Sequence, residues 1–297
     1  MKPFVCAILV NYNGKADTEE CVKSLLNAGY DNLKIIIVDN ASATLPAEYN
    51  DVIRKEECEI LFMDDNIGFA GANNRGIERA FELNADYVLI INNDTVVTEG
   101  FLEPMLDAFE KQENLGMVTG KILYYDEPEI LWFGGGYYDE QLFECKIDGI
   151  GKEDDECYNC EKEIPYATAC LWLIPVNTIK KVGLMSEDYF LYYEDADYCE
   201  RVKNSGFRIW YAPQAVIYHK ESRSTKKGSD SYQYYNNRNY LKFIKTFRTK
   251  KEQKIAYVKR FIRMAKNTLR GRMSAKVMLC VISDTIKGNY GKRDLNA

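Results

Sequence analysis

Four apolar segments of strand length each end abruptly in small polar residues, and this feature constrains the fold more than any other. A strand that is apolar on both faces belongs in the interior of a sheet that helices cover. Helical patterns separate the segments, which favours parallel strands joined by right-handed connections. The sequence therefore predicts an α/β fold with a mostly parallel central sheet and flanking helices, and it places the four strands at 4–10, 33–38, 59–63 and 87–92.

The polar residues after these four strands are expected to share one edge of the sheet. The carboxyl ends of parallel strands meet there, and open α/β sheets bind their ligands at that edge. Segments 11–14, 39–42, 64–76 and 92–94 supply Asn, Asp and Gly residues to it. Four such endings indicate a cleft for a polar ligand with ribose and phosphate groups.

The glycine-rich segment 64–76 does not match the common phosphate-binding loops. Its glycines at 68, 71 and 76 fit neither G-x-G-x-x-G nor G-x-x-x-x-G-K-[ST], which argues against a dinucleotide or ATP site. Glycines between a strand and a helix still let a ligand approach the backbone near the positive end of the helix. A turn that needs glycine only for tight packing is the alternative.

Asp94 and Asn92 are candidate ligands of a hard divalent cation, Mg²⁺ or Mn²⁺. They lie two residues apart on one side of the fourth strand's end, where both present oxygen atoms. His219, the only histidine, stands at the polar end of a predicted strand before Lys220 and Ser222, and is a candidate ligand through neutral imidazole. A polar turn for 92–94 and a hydrogen-bonded structural histidine are the alternatives.

An aromatic run over 188–193 leads into Glu194 and Asp195, followed by a helix predicted to continue through Asn204. Carboxylates at a helix amino end are stabilised by the dipole and the free amides, so a well-capped helix explains them. The placement also suits a general base beside an aromatic wall. The remaining elements between residues 98 and 229 are predicted as helices at 99–111 and 179–182, strands at 115–123, 166–176, 207–211 and 215–218, and an exposed hairpin and loop region at 124–163.

Charge divides the chain of 297 residues into two parts. Residues 232–297 hold 17 Lys/Arg and 3 Asp/Glu, whereas the preceding residues hold 22 and 42. Two basic amphipathic helices predicted over 250–287 can lie on an anionic membrane surface. Packing of their apolar residues on the core, or on a second subunit in a homodimer, is the alternative. A nucleic acid partner is not expected, because the body is acidic and no known reading motif is present.

The sequence favours a cytoplasmic protein. If the basic region over 230–297, here called the tail, binds lipid, the protein would lie peripherally on the inner face of the plasma membrane. No run approaches 18 apolar residues, and the start lacks the apolar segment of a signal peptide. Nine cysteines, an odd number, are expected as free thiols in a reducing compartment. Cys157 and Cys160 form a lone C-x-x-C, which indicates a solvated loop or a zinc site.

The order of these motifs resembles the family 2 glycosyltransferases with the GT-A fold, particularly the bacterial rhamnosyltransferase-like branch. The resemblance spans about residues 4–225. It rests on segments 10–14, 38–42, 66–74, 92–94 and 190–201, together with His219.

This resemblance implies a catalytic domain over 1–229, with a nucleotide-sugar half at about 1–97 and an acceptor half at about 98–229, and a basic helical region over 230–297. Residues 92–94 resemble the D-x-D motif of the family, with asparagine in place of the first aspartate. Asp94, His219 and Asn92 are implied to bind the metal, and Asp195 to be the catalytic base. Asp197 is expected to support the site or to pair with Arg201. The implied substrate-binding residues are Asn11, Asn13, Asp39, Asn40, Asn66, Gly68, Asn74, Asn93 and Glu194.

The implied activity is inverting transfer from UDP-hexose or dTDP-rhamnose to a hydroxyl of a saccharide or lipid-linked saccharide in bacterial cell-surface polysaccharide synthesis. A non-catalytic nucleotide-sugar-binding protein on the same fold is the alternative. A nucleotidyltransferase is a further alternative, but it would need a basic, glycine-rich triphosphate loop near the first strand, and segment 11–14 is not one.

Overall fold

A computed structural model describes residues 2–43, 49–51, 53, 55–220 and 228–295. Within these residues the chain forms a ten-stranded sheet flanked by helices, which confirms the predicted α/β class and the mostly parallel sheet. Ser222 and the end of the family resemblance at 225 lie outside the described residues. The first half contains β1 (Val5–Asn11), α1 (Lys15–Leu26), β2 (Leu33–Asp39), β3 (Cys58–Phe62), α2 (Gly68–Glu82) and β4 (Tyr87–Ile91).

Four parallel strands build the first half of the sheet, in the order β4-β1-β2-β3. Their central residues, including Ile8, Ile36 and Leu89, are fully buried. Helix α2 packs on β1, and a Cβ atom at Gly76 would lie 2.4 Å from Cγ2 of Ile8. Glycine is therefore required here for the helix to approach the sheet.

The second half of the sheet continues the order as β4-β11-β6-β12-β10, with β5 paired to β12 and β7 to β6. A two-stranded hairpin, β8–β9, lies outside this sheet. The elements are β5 (Thr95–Val97), α3 (Leu102–Lys111), β6 (Leu115–Tyr124), β7 (Leu131–Phe133), β8 (Gly136–Asp139), β9 (Glu144–Ile147), β10 (Lys162–Glu163), β11 (Leu171–Pro175), α4 (Val176–Val182), α5 (Glu194–Asn204) and β12 (Arg208–His219).

Strand β11 is antiparallel to both of its neighbours and is shorter than the strand predicted at 166–176. Its first residue, Leu171, pairs with Ile91, the last residue of β4. The chain therefore enters β11 from the carboxyl edge of the parallel strands. Residues 166–170, predicted as strand, instead form a loop at that edge, where the polar motifs collect.

The two strands predicted at 207–211 and 215–218 form the single strand β12. A bulge separates Ala212 from Val216, and Pro213 lies within it. Proline has no N–H to donate to a ladder, so the pairing shifts its register there. The strand then continues to His219 at the same edge.

The tail forms three helices, α6 (Asp230–Phe247), α7 (Lys250–Leu269) and α8 (Ala275–Lys287). Tyr234 and Phe243 of α6 are fully buried in the same hydrophobic core as the sheet. Several tail cations pair with carboxylates of the body: Arg248 lies 2.8 Å from Glu200, and Arg260 lies 2.8 Å from the buried Glu144. Part of the charge difference between the two segments is thus neutralised across their contact.

No helix among the described residues is both long enough and apolar enough to cross a bilayer.

Candidate active site

Asn11 and Asp39 meet at the carboxyl ends of β1 and β2, because the parallel register pairs them directly. The Asn11 side chain donates to Asp39 at 2.9 Å and to the hydroxyl of Tyr49 at 2.6 Å, and Tyr49 donates to Asp39. Burial raises the pKa of Tyr49, as does its contact with Asp39, so this phenol stays protonated as a donor. The network fixes Asp39, which is almost completely buried, at the sheet edge.

Asn40 organises the loop that leads into α2. Its side-chain oxygen accepts from the backbone N–H of Ile67 at 2.9 Å, and its side-chain nitrogen donates to Asn66 at 3.1 Å. Gly68 follows with φ of +81°, and a Cβ atom there would lie 2.5 Å from the carbonyl oxygen of Phe190. Glycine is therefore required at 68, where the aromatic run closes over the start of the helix.

Asn13 and Asn93 lie near this edge. The side-chain oxygen of Asn13 accepts from the backbone N–H of Ala43 at 2.8 Å. The side-chain nitrogen of Asn93 donates to Thr18 at 2.9 Å, and it would collide with a Cβ atom at Gly14. Both residues therefore shape the turn after β1.

Asn74 lies deeper in the protein, in α2, with 1% of its surface exposed. Its amide forms two hydrogen bonds of 2.9 Å with the backbone of Met185, and it donates to Glu187 at 3.0 Å. The structure thus shows Asn74 holding segment 185–187 against α2, and its role in donor binding stays a prediction.

Asp94 and His219 come together because β5 pairs with β12, with Thr95 opposite His219. The Nε2 atom of His219 lies 3.1 Å from Oδ1 of Asp94. The indole of Trp132 packs nearly perpendicular to the imidazole, with ring centroids 4.5 Å apart. The Nδ1 atom of His219 is buried without a hydrogen-bond partner among the described residues. The pair lies at the sheet edge, as the sequence predicts.

The geometry of this pair fits a divalent cation. Adjacent ligands of an octahedral ion with bonds of about 2.1 Å lie about 3 Å apart, close to the spacing of the Asp94 and His219 atoms. The described residues contain no group of three or more His, Cys, Asp or Glu side chains around one point. Asn92, two residues before Asp94, stays a predicted third ligand, and its amide oxygen is a donor of the kind that suits Mg²⁺ and Mn²⁺.

Asp195 is half-buried in the first turn of α5 and is held by hydrogen bonds. The phenol of Tyr166 donates to it at 2.6 Å, and the backbone N–H of Ala196 donates at 2.7 Å. Burial raises the pKa of Asp195, while the bond from Tyr166 and the backbone donors oppose that rise. Sequence reasoning missed Tyr166, because its position in a predicted strand gave no signal that it would face α5.

Glu194 lies beside Asp195, and its Oε2 atom is buried without a partner among the described residues. Burial raises the pKa of Glu194 well above its usual range, and the neighbouring charge of Asp195 adds to the effect. Asp197 accepts from Arg201 at 2.7 Å, which is one of the two roles expected for it.

The backbone before Asp195 is strained. Tyr192 and Tyr193 have φ of 69° and 74°, a left-handed conformation that costs a residue other than glycine about 1–3 kcal/mol. Asn239 of α6, which is completely buried, donates to the carbonyls of Leu191 at 2.9 Å and Tyr192 at 2.8 Å. Sequence reasoning assigned no role to Asn239.

One loop connects Asp195 to the segment that contains Asp94. The phenol of Tyr166 in this loop donates to Asp195 at 2.6 Å, and the carbonyl of Cys170 in the same loop accepts from the backbone N–H of Asn92 at 3.0 Å. Asp195 and the 92–94 segment therefore lie on two sides of the loop that enters β11. Asn11, Asp39, Asp94 and His219 lie at one edge of the sheet, and Asp195 of α5 contacts the loop at that edge.

Comparisons with known proteins identify relatives of the chain. The model of the family described as Glycosyl transferase family 2 matches residues 6–172. The chain is 22% identical over 229 residues to the low-salt glycan biosynthesis hexosyltransferase Agl10 of Haloferax volcanii, a match that covers 77% of this chain and 71% of that protein. Other curated relatives match over 126 to 131 residues, and the chain spans less than half of their length.

Two solved structures have a similar fold. GalNAc-T7 with UDP, GalNAc and Mn²⁺ superimposes with a TM-score of 0.62 at 14% identity, over 82% of this chain and 48% of that one. The mannosyltransferase PcManGT of Pyrobaculum calidifontis, with GDP-Man and Mn²⁺, gives 0.57 at 13% identity, over 97% and 75%. At these identities the likeness shows the fold alone, and it confirms the expected GT-A fold.

Proposed function

The chain belongs to the family 2 glycosyltransferases, whose model matches more than half of it, and from this membership we propose that it transfers a hexose from a nucleoside-diphosphate sugar to an acceptor hydroxyl with inversion. The relative Agl10 is a hexosyltransferase of glycan biosynthesis. Of the two solved structures with a similar fold, GalNAc-T7 contains UDP and GalNAc, and PcManGT contains GDP-Man. These ligands support a nucleotide-sugar donor.

Within this proposal the donor is UDP-hexose or dTDP-rhamnose. The acceptor is a hydroxyl of a saccharide or lipid-linked saccharide in the synthesis of a cell-surface polysaccharide. The rhamnosyltransferase-like branch and the cytoplasmic location stay predictions.

The donor nucleotide is assigned to the edge formed by β1, β2 and the start of α2. Asn11, Asp39 and Asn40 present fixed polar groups there, and the amino end of α2, which begins at Gly68, favours the negative charge of a diphosphate. Asn13, Asn66 and Asn93 are assigned to the rim of the same cleft, and Glu194 to the sugar. Because the asparagines and Asp39 are already held by hydrogen bonds, little order has to be created in them when the donor binds.

A divalent cation, Mg²⁺ or Mn²⁺, is assigned to Asp94 and His219, with Asn92 as the third side chain. Bound there, the cation would stabilise the negative charge that accumulates on the departing nucleoside diphosphate. The Mn²⁺ of both solved structures supports this assignment. Asp94 contributes its carboxylate, and the contact with Trp132 holds the imidazole of His219 in place.

The observation that carries the proposal is the carboxylate of Asp195, held by Tyr166 and the backbone N–H of Ala196, and joined through the loop at 166–170 to the sheet edge where Asp94 lies. In the proposed reaction Asp195 accepts the proton of the acceptor hydroxyl as that oxygen attacks the anomeric carbon. The attack comes from the face opposite the departing diphosphate, so the configuration inverts. A raised pKa makes this carboxylate a stronger base than an exposed aspartate.

The substitution D195N tests the assignment. We expect transfer to fall by about 100- to 10,000-fold, with donor affinity nearly unchanged in calorimetric titrations with Mn²⁺. The matched control is D188N, which changes an exposed aspartate of the same segment that pairs with Lys242. It should leave transfer close to that of the wild type.

A D195N variant that keeps most of its activity would overturn the base assignment. A wild-type protein that binds nucleotide sugars with Mn²⁺ or Mg²⁺, yet neither transfers nor hydrolyses any of them, would instead support the non-catalytic alternative.

A further inference from the structure

Helix α7 exposes an apolar stripe to solvent. Ile255, Val258, Ile262 and Leu269 are 40%, 59%, 50% and 88% exposed. Their spacings of three, four and seven residues place them on one side of a helix. Packing in the core of the protein therefore does not explain why these four positions are apolar.

The opposite side of α7 fixes the orientation of this stripe. Ala256 and Met264 are fully buried, and Arg260 is almost so, paired to Glu144. The phenol of Tyr257 donates to the carbonyl of Leu241 in α6 at 3.2 Å. The helix is thus held on the body, and the stripe faces away from it.

Cations border the stripe on both sides. On a helical projection Lys254 lies on one side, and Lys266 and Arg270 lie on the other. These three side chains form no ion pair with any residue that the structure describes. The one acidic residue of α7, Glu252, is bound in the capping box with Thr249 at the amino end of the helix.

We propose that this stripe and its bordering cations, the cationic face of α7, dock on an anionic lipid bilayer. Apolar side chains can enter the boundary between headgroups and acyl chains, while the lysines meet lipid phosphates. Charge decides between the bilayer and a second copy of the chain. A two-fold contact through this face would oppose the same cations across the interface, whereas an anionic surface complements them.

The inference is independent of the proposed transfer reaction, because lipid binding needs neither donor nor acceptor. It predicts co-sedimentation of the full chain with vesicles of phosphatidylcholine and phosphatidylglycerol at low salt, but not with phosphatidylcholine alone. Binding should weaken as salt increases.

Two double variants test the two parts of the face. K254Q/K266Q should weaken binding to anionic vesicles about 25-fold, at about fivefold for each cation. V258E/I262E should abolish it. The matched controls are K55Q/K111Q, which changes two exposed lysines outside the tail, and I150E, since Ile150 is 46% exposed in a loop of the body. Circular dichroism checks that every variant folds.

Equal binding to neutral vesicles, or no binding to either kind, would overturn the proposal, and so would an equal loss in the controls. Light scattering measures the oligomeric state of the wild type and of V258E/I262E. If the wild type is a dimer, and V258E/I262E is a monomer that still binds vesicles, the face belongs to a contact with a second copy instead.

Discussion

The side-chain nitrogen of Asn239 donates to the backbone carbonyl of Tyr192 at 2.8 Å. This bond links helix α6 of the tail to the strained segment directly before Asp195. The neighbouring Arg238 donates to the carbonyl of Gly291 at 2.7 Å, and the backbone N–H of Gly291 donates to the carbonyl of Asp188 at 2.8 Å. The tail thus positions both ends of the aromatic run, and it holds in place the segment directly before the proposed base, Asp195.

The first prediction is that N239A lowers kcat by about 10- to 100-fold, because a small displacement of a reacting group is costly. The KM for the donor should change little, since Asn239 is not assigned to the donor cleft. Loss of both bonds removes a buried side-chain donor from two backbone carbonyls, so the free energy of unfolding should fall by about 1–3 kcal/mol. Steady-state kinetics and chemical denaturation measure the two effects.

N237A is the matched control for this prediction. Asn237 is also buried in α6, but its side chain donates to Gln233 within the same helix. A purely structural role for Asn239 would make both variants lose stability while kcat stays normal, and that result would contradict the prediction.

The strands of the first half were predictable because their signals are local. Apolar runs of five to seven residues ended at polar residues, and β1, β2, β3 and β4 lie within one or two residues of the predicted bounds. The direction of β11 was not predictable in this way. It depends on the chain returning from the hairpin region 124–163 at the carboxyl edge, a long-range path that no local pattern encodes.

The candidate site was predictable where a motif carried its own chemistry. Asp94 and His219 are 125 residues apart, yet the sequence placed each at a strand end, and the pairing of β5 with β12 brings them together. Tyr166 and Asn239 were not predictable as parts of the site. Their roles depend on tertiary contacts with α5 and with the aromatic run, and a tyrosine or an asparagine has no sequence signal for such a contact.

The second prediction concerns the pH dependence of the proposed base. Burial raises the pKa of Asp195, and the hydrogen bond from Tyr166 opposes that rise. Y166F removes this donor, so the pKa of Asp195 should increase further. Since only the carboxylate can accept the proton, the acidic limb of kcat/KM should move to higher pH. Because Glu194 is adjacent, the apparent pKa of this limb belongs to the pair of carboxyl groups and not to Asp195 alone.

The pH profile of kcat/KM for Y166F measures this shift. The matched control is Y211F, which removes a buried phenol that donates to the carbonyl of Tyr158 and should leave the limb in place. A limb that moves to lower pH in Y166F would contradict the argument.

The third prediction uses the stability cost of burying Glu194. The pKa of Glu194 is raised in the folded protein, so the folded state binds the proton more tightly than the unfolded state. Stability should therefore decrease as the pH rises from the ordinary glutamate pKa through the raised one. E194Q keeps the shape without the charge, so it should raise the midpoint of thermal unfolding at neutral pH and flatten its pH dependence. An E194Q midpoint below that of the wild type at neutral pH would show that the charged form is stabilised by a contact absent here.

The fourth prediction is that Asp94 and His219 bind one divalent cation together. Their 3.1 Å contact fits two neighbouring ligands, so D94A and H219A should each weaken Mn²⁺ affinity about tenfold or more in the presence of the nucleoside diphosphate. Electron paramagnetic resonance of free Mn²⁺ measures this without any assay of transfer. D65N, at an exposed aspartate before the glycine-rich loop, is the matched control and should bind Mn²⁺ normally.

The double variant D94A/H219A tests whether the two side chains share one ion. Because two ligands of one ion act together, its loss of Mn²⁺ affinity should be smaller than the product of the two single losses. Independent, multiplicative losses would instead indicate that the two side chains do not share an ion.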